Sequence, residues 1–183
     1  VLQNEGSASA SEVLTAAIQS WGAGTIVGTT SFGKGTVQET WDLTNGGSVK
    51  LSTNKWLTPK ETWIHERGVQ PDVEADQHPL YTIEFVPIRG KFEAGDFSEE
   101  IAYAQKVLHG FGFPIVRQDG YFDEATQKSV VAFREKYDIH EGDVLDELFF
   151  EKMQEQVVLY KDKEENDLQL QMGISYIMHK LGH

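Results

Sequence analysis

The sequence predicts an α/β (α+β) core followed by a small three-helix module and a closing helix, and three observations predict it. The first thirty residues run from an apolar pair through an amphipathic helix to a second short apolar run, the strand, helix, strand grammar of an α/β sheet. Residues 37–53 then change to two β-rich runs, "VQETWDL" and "SVKLST", around "TNGG", which signals a hairpin with a glycine-containing turn. Past residue 90 the periodicity turns helical and the charge more acidic, with 19 acidic and 10 basic side chains in residues 91–183. These limits divide the chain into a core at 1–90, a helical domain at 91–158, and a charged linker with a last helix at 159–183.

The elements follow in order. Val1 and Leu2 form the end of a strand, and Glu12 to Trp21 a helix with Val13, Leu14, Ala17, Ile18 and Trp21 on one face, stopped by Gly22 and Gly24. "TIVGTT", 25–30, is a buried strand, and "SFGKG", 31–35, interrupts with two glycines around a lysine. Pro59 and Pro71 confine the strands near them to edges or ends. Helices are expected at 98–108, 123–137, 144–156 and 168–180, with Val107, Leu108, Phe122, Val130, Phe133 and Leu148 as core and Leu170, Ile174, Ile177 and Met178 as the last helix's apolar face.

Composition excludes several classes. The 183 residues carry a formal charge of −13, which opposes a run of phosphate contacts and argues against a nucleic-acid partner. The absence of cysteine removes disulfides, thiolate nucleophiles and sulfur-ligated metals. No apolar stretch approaches the roughly 20 residues of a membrane span. The chain opens on "VLQN", with no Met, and reads as the C-terminal part of a longer protein.

Three serines crowd "NEGSASASE", residues 4–12. Ser9 and Glu12 match S-x-x-E before an apolar helix, a capping box in which the serine hydroxyl accepts from an amide. A serine is also a nucleophile when a desolvated, neutral lysine takes its proton. Lys34 suits that role, since no acidic residue lies between Glu12 and Glu39, although a solvated loop lysine is the ordinary alternative. "GTTSFGKG", 28–35, begins like a phosphate loop and then fails, because Gly35 stands where a magnesium-binding hydroxyl belongs and the sequence beyond turns β-rich. His179 and His183 have the spacing of metal ligands but no third ligand, so no metal or other cofactor is expected.

"NEGSASASEVL", "VGTTSFGKGTVQ", "KLSTNKWLTP" and "GVQPDV", in that order within residues 1–74, resemble the carboxy-terminal processing, or tail-specific, proteases, serine peptidases with a Ser-Lys mechanism. The resemblance implies Ser9 as nucleophile, Lys34 as general base 25 residues on, Gln38 as the residue that orients it, and the Ala10 backbone amide as one oxyanion donor at a helix mouth. Ser7 and Ser11 are then polar support. A second oxyanion donor, from an upstream glycine, and a PDZ domain that binds the substrate's C-terminus are family features this chain does not contain. For Gln38 to reach Lys34, "GKGTVQ" is expected to turn, because four residues of flat strand span about 13 Å.

The implied function is an extracytoplasmic serine endopeptidase that cleaves protein or peptide substrates held by their C-terminal region. Residues 97–153 resemble a three-helix peptidoglycan-binding domain, with G-Y-F and D-x-x-T turns. Its acidity suits a scaffold or a homodimer contact better than anchorage to peptidoglycan. The last helix resembles the family's closing helix, which returns to the core. The alternative is a non-catalytic wall-binding or assembly protein with a degenerate protease fold.

Overall fold

The structure, a computed structural model, describes residues 1–182. In chain order its elements are β1 (Leu2–Gln3), α1 (Ala10–Ser20), β2 (Val27–Gly28), β3 (Thr36–Asp42), β4 (Ser48–Lys55), β5 (Val73–Glu74), α2 (Pro79–Thr82), α3 (Glu99–Gly110), α4 (Glu124–Lys136), α5 (Glu147–Lys161) and α6 (Leu168–Leu181), with a 3₁₀ turn at Glu164–Asn166. They form two compact units, one of residues 1–76 with 168–183 and one of residues 77–167.

The first unit holds a parallel sheet in the order β1-β2-β5, with Leu2 opposite Val27 and Val27 opposite Val73. Helix α1 is the crossover from β1 to β2, and a separate antiparallel hairpin pairs β3 with β4 around the predicted turn. Helix α6 packs on β1 and β2. Its buried residue is Gln169, which donates to Ala75 O at 2.9 Å, while Ile174, Ile177 and Met178 of the expected apolar face are exposed.

Helix α1 corrects the sequence pattern. Leu14 is 60% and Trp21 77% exposed, and the buried positions are Glu12, Thr15 and Ala16. The helix docks through hydrogen bonds as well as apolar contact: Gln19 Nε2 donates to Gln70 O and Asp72 Oδ1 at 2.9 Å each, while the buried Thr15 Oγ1 is satisfied within the helix by Ser11 O at 2.8 Å. Ala16 packs with Ile64, Val69 and Trp56.

In the second unit α3, α4 and α5 bury Ile101, Leu108, Val130, Phe133, Phe149 and Met153. Each helix starts where a side chain caps it. Ser98 Oγ accepts from Ile101 N at 3.1 Å, Asp123 Oδ1 from Thr126 N at 2.8 Å, and Asp146 Oδ1 from Phe149 N at 2.9 Å. Leu148 is 47% exposed, and Phe149 and Phe150 take the core place expected of it. The unit begins at Gln77 rather than near residue 91, because Leu80 is buried in this helical core and Ile83, Val86 and Ile88 pack against it.

Candidate active site

Strand β1 ends at Gln3, and the chain turns before entering α1 at Ala10. Ser7 braces the turn: its Oγ accepts from Asn4 N at 3.1 Å and its carbonyl from Phe32 N at 2.9 Å. Ser11, exposed in the first helical turn, donates its amide to Ala8 O at 3.2 Å.

Ser9 is the N-cap of α1, with φ 55° and ψ −113°. An N-cap ordinarily lies in the β region. A non-glycine residue here costs on the order of 1–3 kcal/mol and persists only where its surroundings enforce it. A serine on a strained strand-to-helix turn is the geometry that lifts a nucleophilic hydroxyl clear of the backbone. Ser9 and Glu12 have the reciprocal capping-box arrangement, but only the Glu12 half closes into a good hydrogen bond, with Ser9 N donating to Glu12 Oε2 at 2.8 Å. Ser9 Oγ makes no side-chain cap bond. Among the described residues the Ala10 N–H meets no acceptor, and it opens the positive end of the helix.

Lys34 lies in the loop between β2 and β3. Its flanking carbonyls are held by the segment after the hairpin: Gly33 O accepts from Glu66 N at 2.9 Å and lies 3.1 Å from His65 Nδ1, and Gly35 O accepts from Trp56 N at 2.9 Å and Trp63 Nε1 at 2.8 Å. Gly33 adopts φ 88°, a conformation suited to glycine. Among the described residues no carboxylate forms an ion pair with the Lys34 ammonium.

Glu12 is the group that sequence reasoning undervalued. It is fully buried and takes four donors: Ser31 Oγ at 2.5 Å and Gly33 N at 2.6 Å on Oε1, with Ser9 N and Lys34 N at 2.8 Å each on Oε2. Ser31, also buried, accepts from Val69 N at 2.7 Å, which leaves its own hydrogen for Glu12. The S-x-x-E spacing pointed to the contact with Ser9; the three donors from residues 31–34 had no sequence signal. Burial pushes the Glu12 carboxyl up, but the hydrogen bonds from Ser31, Gly33, Ser9 and Lys34 outweigh it and hold the group below the usual carboxylate range. A depressed folded value means that Glu12 contributes stability above its ordinary carboxylate range and loses it as pH falls through the folded value. Urea midpoints measured from pH 7 downward are expected to drop less steeply at acid pH for Glu12→Gln than for the parent. Parallel profiles would show that Glu12 is not the linked group.

Gln38 corrects the expected turn. It lies in β3 opposite Ser52, just past a bulge between Val37 and Gln38. Its side chain is exposed and makes no hydrogen bond to Lys34 among the described residues. Pairing with β4 begins at Thr36, so the chain is extended at Gln38 while Lys34 lies in the loop before it, and the structure joins Ser9 and Lys34 through their backbone amides. The described residues contain no cluster of three or more metal-ligating side chains, and His183 of the His179 pair lies outside them. No described helix is long and apolar enough to cross a membrane.

A strained serine at a helix mouth and a loop lysine without an ion-pair partner thus share one buried carboxylate through their backbone amides. Residues 1–75 match Peptidase family S41, and the chain belongs to that family. Among its relatives, the carboxy-terminal processing proteases CtpB and CtpA of Bacillus subtilis are 36% identical over 174 residues and 31% identical over 186 residues, covering 95% and 99% of this chain. A probable CtpA-like serine protease of Staphylococcus aureus is 36% identical over 135 residues, 74% of this chain and 27% of its own. The chain spans 36% and 38% of the length of the two Bacillus proteins. A solved photosystem II D1 C-terminal processing protease aligns with a TM-score of 0.41 at 43% identity, over 42% of this chain and 20% of that one.

Proposed function

We propose that this chain carries the nucleophile and the base of a serine endopeptidase of the carboxy-terminal processing type. Ser9 attacks the scissile carbonyl, Lys34 takes its proton, and the Ala10 amide receives the developing oxyanion. The Lys34 ammonium so formed gives that proton to the leaving amine, and the neutral Lys34 then takes a proton from a water molecule that attacks the acyl carbonyl and returns it to Ser9 Oγ as the acid is released. The observation that carries the reading is the strained Ser9 turn held against the Lys34 loop by the buried Glu12. For Gln38 the family resemblance alone supports an orienting role, which requires its side chain to swing toward Lys34.

In this reading the substrates are proteins or peptides, and the site works outside the cytoplasm, as the resemblance implies. Residues 77–167 serve as a peptidoglycan-binding-like scaffold whose acidity opposes anionic wall polymers; retention of the protein on purified wall material would overturn that assignment.

A serine-directed phosphonate probe tests the central claim. It is expected to label the protein once, at Ser9, and Ser9→Ala is expected to lose both the label and proteolysis. Labelling of Ser9→Ala at the parent rate would reject Ser9 as the nucleophile and favour the non-catalytic alternative.

A further inference from the structure

One carboxylate oxygen joins the two residues on which the proposed chemistry depends. Glu12 Oε2 accepts from Ser9 N and Lys34 N at 2.8 Å each, so these nitrogens lie no farther apart than twice that distance. A helix cap does not account for this. Capping requires the local bond from Ser9 N, three residues away, whereas the other donors, Ser31 Oγ, Gly33 N and Lys34 N, come from 19 to 22 residues further along. Nor does apolar docking of α1 require a carboxylate at a fully buried position.

We propose that Glu12 is a positioning residue for peptide hydrolysis, an acceptor-only carboxylate that fixes the nucleophile's turn against the lysine loop without itself touching the substrate. The inference rests on the Ser9–Lys34 reading. Four donors converge on two oxygens, which only an ionised carboxylate satisfies. An amide of the same shape turns an NH₂ group toward either Gly33 N or the pair Ser9 N and Lys34 N, and buried donors then face each other. The strain at Ser9 gives the bond a further task. A serine at φ 55° relaxes toward the β region once its amide is released, and relaxation re-aims the hydroxyl.

The test compares Glu12→Gln with Thr15→Ala, a change one turn along the same buried face at a side chain whose hydrogen bond goes to Ser11 O. Catalytic constants on a peptide substrate and labelling rates at Ser9 are measured beside urea unfolding. Glu12→Gln is expected to lower kcat and the labelling rate by about tenfold to a hundredfold with KM within about twofold, since misplacement near 1 Å carries a loss of this size. Thr15→Ala is expected to keep kcat. Equal kcat losses in the two variants, or a Glu12→Gln loss confined to KM, would overturn the proposal. If Glu12→Gln does not fold, Glu12→Asp decides: its shorter reach is expected to slow labelling, and labelling at the parent rate overturns the proposal. Failure of the underlying reading looks different, because Ser9→Ala then remains labelled.

Discussion

Lys34→Ala is expected to lower kcat by on the order of 10²–10⁴-fold while leaving the fold of residues 1–76 intact, because it removes the group that accepts the Ser9 proton. The neighbourhood supports a base rather than a structural lysine. Glu12 contacts the Lys34 backbone, yet each of its oxygens is occupied by two hydrogen bonds from amides and a hydroxyl, and it forms no ion pair with the ammonium. A carboxylate that paired with Lys34 would hold it charged and unable to accept a proton. The decisive companion is Lys34→Arg, which keeps the charge and much of the length but never deprotonates at working pH. It is expected to be as inactive as Lys34→Ala, and proteolysis by Lys34→Arg above a tenth of the parent rate would exclude the base assignment. Gln38→Ala is expected to cost less than either lysine variant.

The parts of the fold legible in the sequence are those whose stabilisation is local. The hairpin is legible through its turn and α3, α4 and α5 through their helical periodicity, and in the structure the caps Ser98, Asp123 and Asp146 start them with short-range hydrogen bonds. Helix α1 was misread where stabilisation is not local. Periodicity puts Leu14 and Trp21 on the apolar face, and the structure exposes both and buries Glu12 and Thr15, because Glu12 finds donors some twenty residues away. Residues 77–90 carry no periodic pattern, so their packing through Leu80, Ile83, Val86 and Ile88 was assigned to the wrong domain. At the candidate site the family resemblance implied Ser9 and Lys34, where the residues alone leave a helix cap and a solvated lysine open. The strain at Ser9 was invisible, since a backbone angle enforced by distant contacts leaves no trace in composition. Of "GKGTVQ" the glycine-flanked lysine stays in a loop, whereas from Thr36 on the chain pairs with β4, a contact between residues 38 and 52 that an i, i+4 argument does not contain.

Gly35→Ala is expected to damage turnover out of proportion to the single methyl group it adds. A Cβ on Gly35 overlaps the backbone nitrogen of His65 and comes within 2.9 Å of its Cα and Cβ, so backbone rather than a flexible side chain has to move. The carbonyl of the same residue anchors Trp56 N and Trp63 Nε1, and the carbonyl of Gly33, two residues earlier, accepts from Glu66 N. Separating residues 35 and 65 therefore loosens both ends of the peptide that carries Lys34, and a displacement near 1 Å at the base costs about 10²-fold in kcat. The overpacking itself destabilises by roughly 1–3 kcal/mol, so heat and urea transitions shift as well and do not by themselves reveal the mechanism. Gly46→Ala separates the two effects. Gly46 sits in the hairpin turn at φ 84° with open space where a Cβ would go, so alanine there strains the backbone without moving a neighbour. It is expected to lower stability while leaving kcat at the parent value. Gly35→Ala at parent kcat would mean that the lysine loop tolerates displacement, and that its attachment to the His65 backbone does not set the position of Lys34.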